Sequence, residues 1–216
     1  SDPNEIHPSD YEMDPRVVND DLGLADHTMQ EALLDIPTVS ITMNPSDFLN
    51  SDAEPATGIY SNPRSRWERT CSMEYMLPDG SPGFQEDCKI EVHGNASRRS
   101  ARMHKHSLRL TFSSTVGKSK LNYPLFPQSK VENFNKLVLR ACFTDSWALV
   151  SWSSGRYRPN DSMYMRDVWM KDSMRAMGNA SGNGDFVHLY VNGLYWGLHD
   201  LTERYEDDWY ADHIGG

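Results

Sequence analysis

The string Val187-His-Leu-Tyr-Val-Asn-Gly-Leu-Tyr-Trp-Gly-Leu198 constrains the fold more than any other part of the sequence. Apolar residues alternate on either side of Asn192-Gly193, a pair that supplies the two left-handed residues a type I′ turn needs. Residues 185–198 are therefore predicted to run out as a strand, turn in two residues and return as a second strand. The same period of two recurs upstream. Cys71, Met73, Tyr75 and Leu77 alternate with polar neighbours, Pro78-Asp-Gly-Ser-Pro-Gly83 makes a turn, and Cys88, Ile90 and Val92 alternate again, which gives an antiparallel hairpin. Residues 107–112 and 133–140 add strands, as do residues 38–43 ahead of Asn44-Pro45.

Two stretches carry helical spacing instead. Residues 25–36 place Ala25, Met29, Ala32, Leu33 and Ile36 on one face before Pro37 stops the helix. Residues 163–178 read as a longer helix, with capping candidates in Asn160-Asp161-Ser162 and a left-handed Gly178 at its end. The expected fold class is α+β, an antiparallel β-sheet with one substantial helix packed on it. Residues 1–37 are expected to form an acidic lead-in with the short helix and residues 38–216 the folded domain. Within the latter, residues 44–68, rich in Pro, Asn, Asp and Ser, form a long loop.

Charge narrows the function. The formal charge of −10 is segregated: of the 31 acidic residues, 13 lie in residues 1–54 against one basic residue, Arg16, leaving 18 acidic and 20 of the 21 basic residues for the rest. Residues 89–120 hold eight Lys or Arg against Glu91, with His93, His104 and His106 interspersed. Such a cluster attracts anions. A balance of only +2 beyond residue 54, with no recognised module motif, argues against a nucleic-acid partner. No apolar run approaches the roughly 18–20 residues of a membrane span. The opening SDPNEIHPSD lacks the basic start and apolar stretch of a secretion signal, and a secreted parent stays open.

The P-loop, dinucleotide-binding, zinc-protease and nucleophile-elbow motifs are all missing from the sequence. Three cysteines cannot build a four-ligand structural metal site. The chemistry points instead to His93-Gly-Asn-Ala-Ser-Arg-Arg-Ser100, where a small-residue turn between strands exposes backbone N–H groups and hydroxyls beside guanidinium groups. Those are the ingredients of a phosphate cradle. A basic turn with a structural glycine is the plainer alternative. On the strand that follows, Lys105 and Arg109 share a face, while His106 joins Leu108, Leu110 and Phe112 on the apolar one.

These residues carry a family resemblance. Gly94-Asn-Ala-Ser-Arg98, Lys105-His-Ser-Leu-Arg-Leu-Thr-Phe112, Leu125-Phe126, Leu137-Val-Leu-Arg140, Arg166-Asp167, the 187–198 hairpin and Leu201-Thr-Glu-Arg204 follow one another in an order and spacing that resembles the CotH family of spore-coat kinase-like proteins. The resemblance covers roughly residues 38–216. Met13-Asp-Pro-Arg-Val17 and Ala56-Thr-Gly-Ile-Tyr-Ser-Asn-Pro63 resemble the large bacterial surface proteins that carry this domain, which implies an extracytoplasmic, cell-surface or spore-surface location.

What the resemblance implies is the N-lobe of an atypical protein-kinase-like fold. Such a protein binds ATP with Mg2+ and transfers the γ-phosphoryl group to Ser residues of a partner protein. In the family the catalytic Asp and the metal-binding Asp lie C-terminal to the Thr-Glu-Arg motif, so neither a catalytic residue nor a metal ligand is expected within residues 1–216. The nucleotide is expected at Gly94, Asn95, Ser97, Arg98, Lys105 and Arg109. Asp167, with Asp172 in reserve, would pair with Lys105 as the acid of a kinase αC helix pairs with its lysine, and Glu203 would meet adenine at a hinge. Lys105 matches the first Lys of the family's Lys-Lys-Ser motif; His106 stands at the second.

A second reading differs in class: a non-catalytic β-rich binding module of a bacterial surface protein, recognising an acidic polymer or protein through residues 89–120 and the aromatics Trp147, Trp152 and Trp196. Independently, Cys71 and Cys88 are equidistant from the Asp79-Gly80 turn and are expected to face each other across the hairpin. They would be bonded in an oxidising compartment and packed as thiols in a reducing one.

Overall fold

The protein is described by a computed structural model covering residues 15–19, 28–50, 57–149 and 159–215. Its strands are β1 (Thr38–Thr42), β2 (Arg69–Met76), β3 (Phe84–His93), β4 (Ser107–Thr111), β5 (Leu121–Asn122), β6 (Asn133–Phe134), β7 (Lys136–Arg140), β8 (Gly184–Val191) and β9 (Leu194–Glu203). The helices are α1 (Pro15–Val18), α2 (Met29–Leu34), α3 (Pro45–Phe48), α4 (Arg166–Ala176) and α5 (Asp207–Ile214).

Seven strands close into a barrel in the order β1-β2-β3-β4-β7-β9-β8, and β5 pairs with β6 as a separate ribbon. The alternation foreseen for each strand holds. Val39, Ile41, Met73, Cys88, Ile90, Leu108, Leu110, Leu137, Leu139, Val187 and Leu189 all point inward and are 3% exposed or less. Each such leucine is worth about 2–5 kcal/mol against alanine. The hairpin register is also as expected: Asn192 and Gly193 both have positive φ, and Cys71 stands opposite Cys88 with the two Sγ atoms 3.5 Å apart as free thiols.

The closed barrel corrects the expected fold class of an open antiparallel sheet with a packed helix, and with it the likeness to a kinase N-lobe. Closure comes from a parallel pairing of β1 with β8, which sets Val39 against Leu189 and Ile41 against Val191. A period of two tells which side of a strand is apolar. It does not tell whether the edge of an early strand meets a hairpin about 150 residues later.

The helix differs from expectation too. Residues 163–178 shorten to α4, and its buried residue is Lys171 rather than an apolar stripe, while Met165, Trp169 and Met170 stay exposed. Its start is capped from a distance: the buried Asp145 carboxylate accepts the N–H of Met163 at 2.8 Å and that of Arg166 at 2.9 Å. Gly178, at φ +80, ends the helix as foreseen and donates to the Arg175 carbonyl.

Candidate functional site

Because Leu108, Leu110, Leu137, Leu139 and Leu201 point into the barrel, their strand neighbours line its outer wall. There Glu91 pairs in register with Arg109, Arg109 with Val138 and Val138 with Thr202, while Arg140 pairs with Asp200. α4 lies over this wall and sends Lys171 into it. Between the wall, the helix and the turn after β3 runs a cleft of about 210 Å³, lined by His93, Gly94, Ser97, Arg140, Lys171 and Arg204 among others.

The cleft is built from opposed charges. Lys171 Nζ lies 2.7 Å from Asp167 and 3.9 Å from Asp200, and donates to Thr202 Oγ1 at 2.6 Å. Arg140 lies 3.1 Å from Asp167 and 3.8 Å from Asp200. The Asp200 side chain is fully buried, and neither of its oxygens accepts a hydrogen bond. Burial raises its carboxyl to about 6, against the pull of Lys171 and Arg140 in the other direction. This packing needs Gly184, since a Cβ there would stand 2.7 Å from Asp200 Oδ1. His93 reports the field. Burial, then Arg204, Arg109, Arg140 and Arg98 in turn, press its imidazole down to about 4, so it stays neutral in a cationic surround.

The sequence-predicted residues separate into those this cleft unites and those it does not. Gly94 and Ser97 line it, and Gly94 holds φ +115 where a Cβ would meet Ser97 Oγ at 2.1 Å. Asp167 does not pair with Lys105 as expected; it pairs with Arg140 of the strand and with Lys171 of its own helix. Lys105 instead donates to Tyr164 Oη at 2.6 Å and to the Leu198 carbonyl, where burial lowers its ammonium to about 8. Arg109 is paired with Glu91 at 2.9 Å. Asn95 is exposed before the short 3-10 turn Ala96–Arg98, and Asp172 is exposed and paired with Arg175.

Glu203 borders the cleft, but its carboxylate is committed to the barrel end, accepting from Asn183 N at 2.9 Å and Trp209 Nε1 at 2.7 Å and meeting His213 at 3.0 Å. Arg98 turns away into a second groove described below. The aromatics of the alternative reading form no common platform: Trp196 packs against Phe48 and Tyr60, Trp147 stacks on Tyr164, and Trp152 lies outside the described residues.

Sequence reasoning missed Arg140, Lys171, Asp200 and Arg204 as site residues. Arg140 and Arg204 stood in the family motifs and sit on or next to outward strand positions, so strand phase could have found them. Lys171 carried no such signal, because a lysine on an amphipathic helix ordinarily faces solvent.

Among the described residues no group of three or more His, Cys, Asp or Glu side chains converges as a metal ion would require. The acids at the cleft are already committed, Asp167 and Asp200 to Lys171 and Arg140, and Glu203 to Asn183, Trp209 and His213.

Fold and cleft together define a small β-barrel with a charged cleft on its outer wall. A family model described as CotH kinase protein matches residues 90–216, more than half of the sequence and a span that includes every residue lining the cleft. The chain belongs to the CotH family. No curated protein matches it.

Proposed function

We propose that the outer-wall cleft binds the phosphate groups of ATP and that the protein serves transfer of the γ-phosphoryl group to Ser residues of a partner protein. The observation that carries this reading is the convergence of Arg140 and Lys171 on one face, beside the Gly94 turn and the Ser97 hydroxyl. Phosphoryl transfer asks a protein mainly to position the phosphates and neutralise their charge. Lys171, tied to Asp167, would hold a phosphate oxygen as a kinase lysine does when paired with its helix acid, here with the lysine itself on the helix. Arg140, spanning Asp167 and Asp200, would present its fork from the strand. The exposed N–H groups of the turn at Gly94 add donors without side-chain bulk.

Magnesium, which the family implies, does not fit the acids of this cleft, and no step is assigned to it. The catalytic acid–base groups are likewise assigned to no described residue. A surface or extracytoplasmic home remains part of the same reading.

Calorimetric titration with ATP tests the cleft. Arg140→Gln is expected to weaken binding by at least about tenfold, the worth of one charge-assisted contact. Unchanged affinity overturns the assignment.

A further inference from the structure

Arg98 is 7% exposed, its Nε has no hydrogen-bond partner, and its Nη1 lies 3.5 Å from the carbonyl oxygen of Arg64. Among the described residues it forms no ion pair. Burial, then Arg66, lowers its proton affinity, and Glu91 opposes this from across the wall, but Glu91 is itself bound to Arg109 at 2.9 Å. A desolvated guanidinium without a carboxylate is costly unless something brings it an anion.

The space beside it is shaped to do so. Arg98 lines a groove of about 490 Å³, far larger than one phosphate group, which runs between residues 61–67 and 98–100. Arg64 and Arg99 stand exposed on its rim, Ser61, Ser65 and Ser100 add hydroxyls, and Pro63 with Trp67 gives it an apolar wall. In the same loop Arg66 holds φ +60, a conformation sparsely populated by residues with side chains and concentrated at ligand clamps. The groove shares none of its lining residues with the cleft.

We propose that this groove binds a phosphoserine-bearing segment of a partner protein, with Arg98, Arg64 and Arg99 around the phosphomonoester and the Trp67 wall against a flanking side chain. Guanidinium forks match phosphate oxygens in pairs, and a groove with both a cationic and an apolar side suits a modified peptide better than a free ion. The inference rests on the reading of the cleft as a site of Ser phosphoryl transfer, whose product carries this group. It gives the protein a docking site for partners already phosphorylated once.

The test is fluorescence anisotropy of a labelled Ser-rich peptide, phosphorylated or not, with inorganic phosphate as competitor. The phosphopeptide is expected to bind at least about tenfold tighter than its unphosphorylated form. Arg98→Met is expected to remove that preference, and so is the exposed rim pair Arg64→Glu with Arg99→Glu, which leaves the core untouched. Arg140→Gln is expected to leave it intact. Equal binding of the two peptides, indifference to the rim reversal, or displacement by inorganic phosphate at concentrations matching the peptide overturns the proposal. Nucleotide titration of the same proteins reads the cleft alone. In the wild-type protein, intact nucleotide binding without phosphopeptide selectivity sinks the groove only, and phosphopeptide selectivity without nucleotide binding sinks the cleft only.

Discussion

The cleft and the arginine groove share the turn at residues 94–98 and handle charge in opposite ways. In the cleft Lys171 and Arg140 each lie within 4 Å of both Asp167 and Asp200. In the groove Arg98 is as buried as Lys171 but faces a carbonyl oxygen. The difference teaches what each site is poised for. A balanced cluster keeps its geometry with or without a ligand, so the cations of the cleft are held in place by its own acids. An unbalanced arginine carries a standing field and gains most from the anion itself.

The largest expected effect follows from breaking the balanced side. Lys171→Met leaves Asp200 and Asp167 facing each other with Arg140 alone between them, and removing one partner of a buried ion pair costs about 3–5 kcal/mol. Arg98→Met removes a buried charge that has no carboxylate, keeps most of the stem's packing, and is expected to change stability by less than about 1 kcal/mol. Urea denaturation of the two variants compares them directly. Equal costs would erase the distinction between the sites.

Next in size is a pH effect confined to the cleft. The Asp200 carboxyl is raised from 3.8 to about 6, chiefly by burial. The folded chain therefore holds that proton more tightly than the unfolded one. The stability this group contributes is fully present below the unfolded value and is lost as pH rises through about 6, a change of about 3 kcal/mol. Asp200→Asn is expected to flatten the stability profile over that window, read by denaturant midpoints from acid to neutral pH. A wild-type profile that rises with pH across the same range would mean that Lys171 and Arg140, rather than burial, dominate the carboxyl.

The smallest effect sharpens the other side. Arg99→Glu on the exposed rim of the groove is expected to shift stability by less than about 0.5 kcal/mol. A rim residue of a binding groove should matter to its ligand and hardly at all to the fold. A shift above about 1 kcal/mol would make the rim a structural element instead.

How much of this was legible in sequence differs between the strands and the sites. The hairpins at Asp79-Gly80 and Asn192-Gly193 were legible to the residue, since turn chemistry and alternation act locally and Cys71 meets Cys88 as their spacing requires. Barrel closure was not, because Val39–Leu189 is a contact between distant strands whose alternation is the same in an open sheet. At the cleft, Gly94 and Ser97 were readable from a small-residue turn, whereas Asp167 was expected to meet Lys105 and meets Arg140 and Lys171 instead. Lys171 and Asp200 were hidden because their burial depends on where α4 lies on the wall. Lys105 was assigned to phosphate from its strand face, but β4 begins two residues later, and Lys105 lies by Tyr164 and Gly197 instead.

The central claim is that nucleotide phosphates enter the cleft and leave the groove untouched. Amide chemical shifts of the isotopically labelled chain, followed as ATP is added, test it most directly. Perturbations are expected at Gly94, Ser97, Cys142, Phe143, Lys171 and Arg204, with Ser61 to Trp67 unmoved at the same nucleotide concentration. Shifts concentrated at residues 61–67 and 98–100, or around Lys105 and Gly197 with the cleft silent, would contradict it.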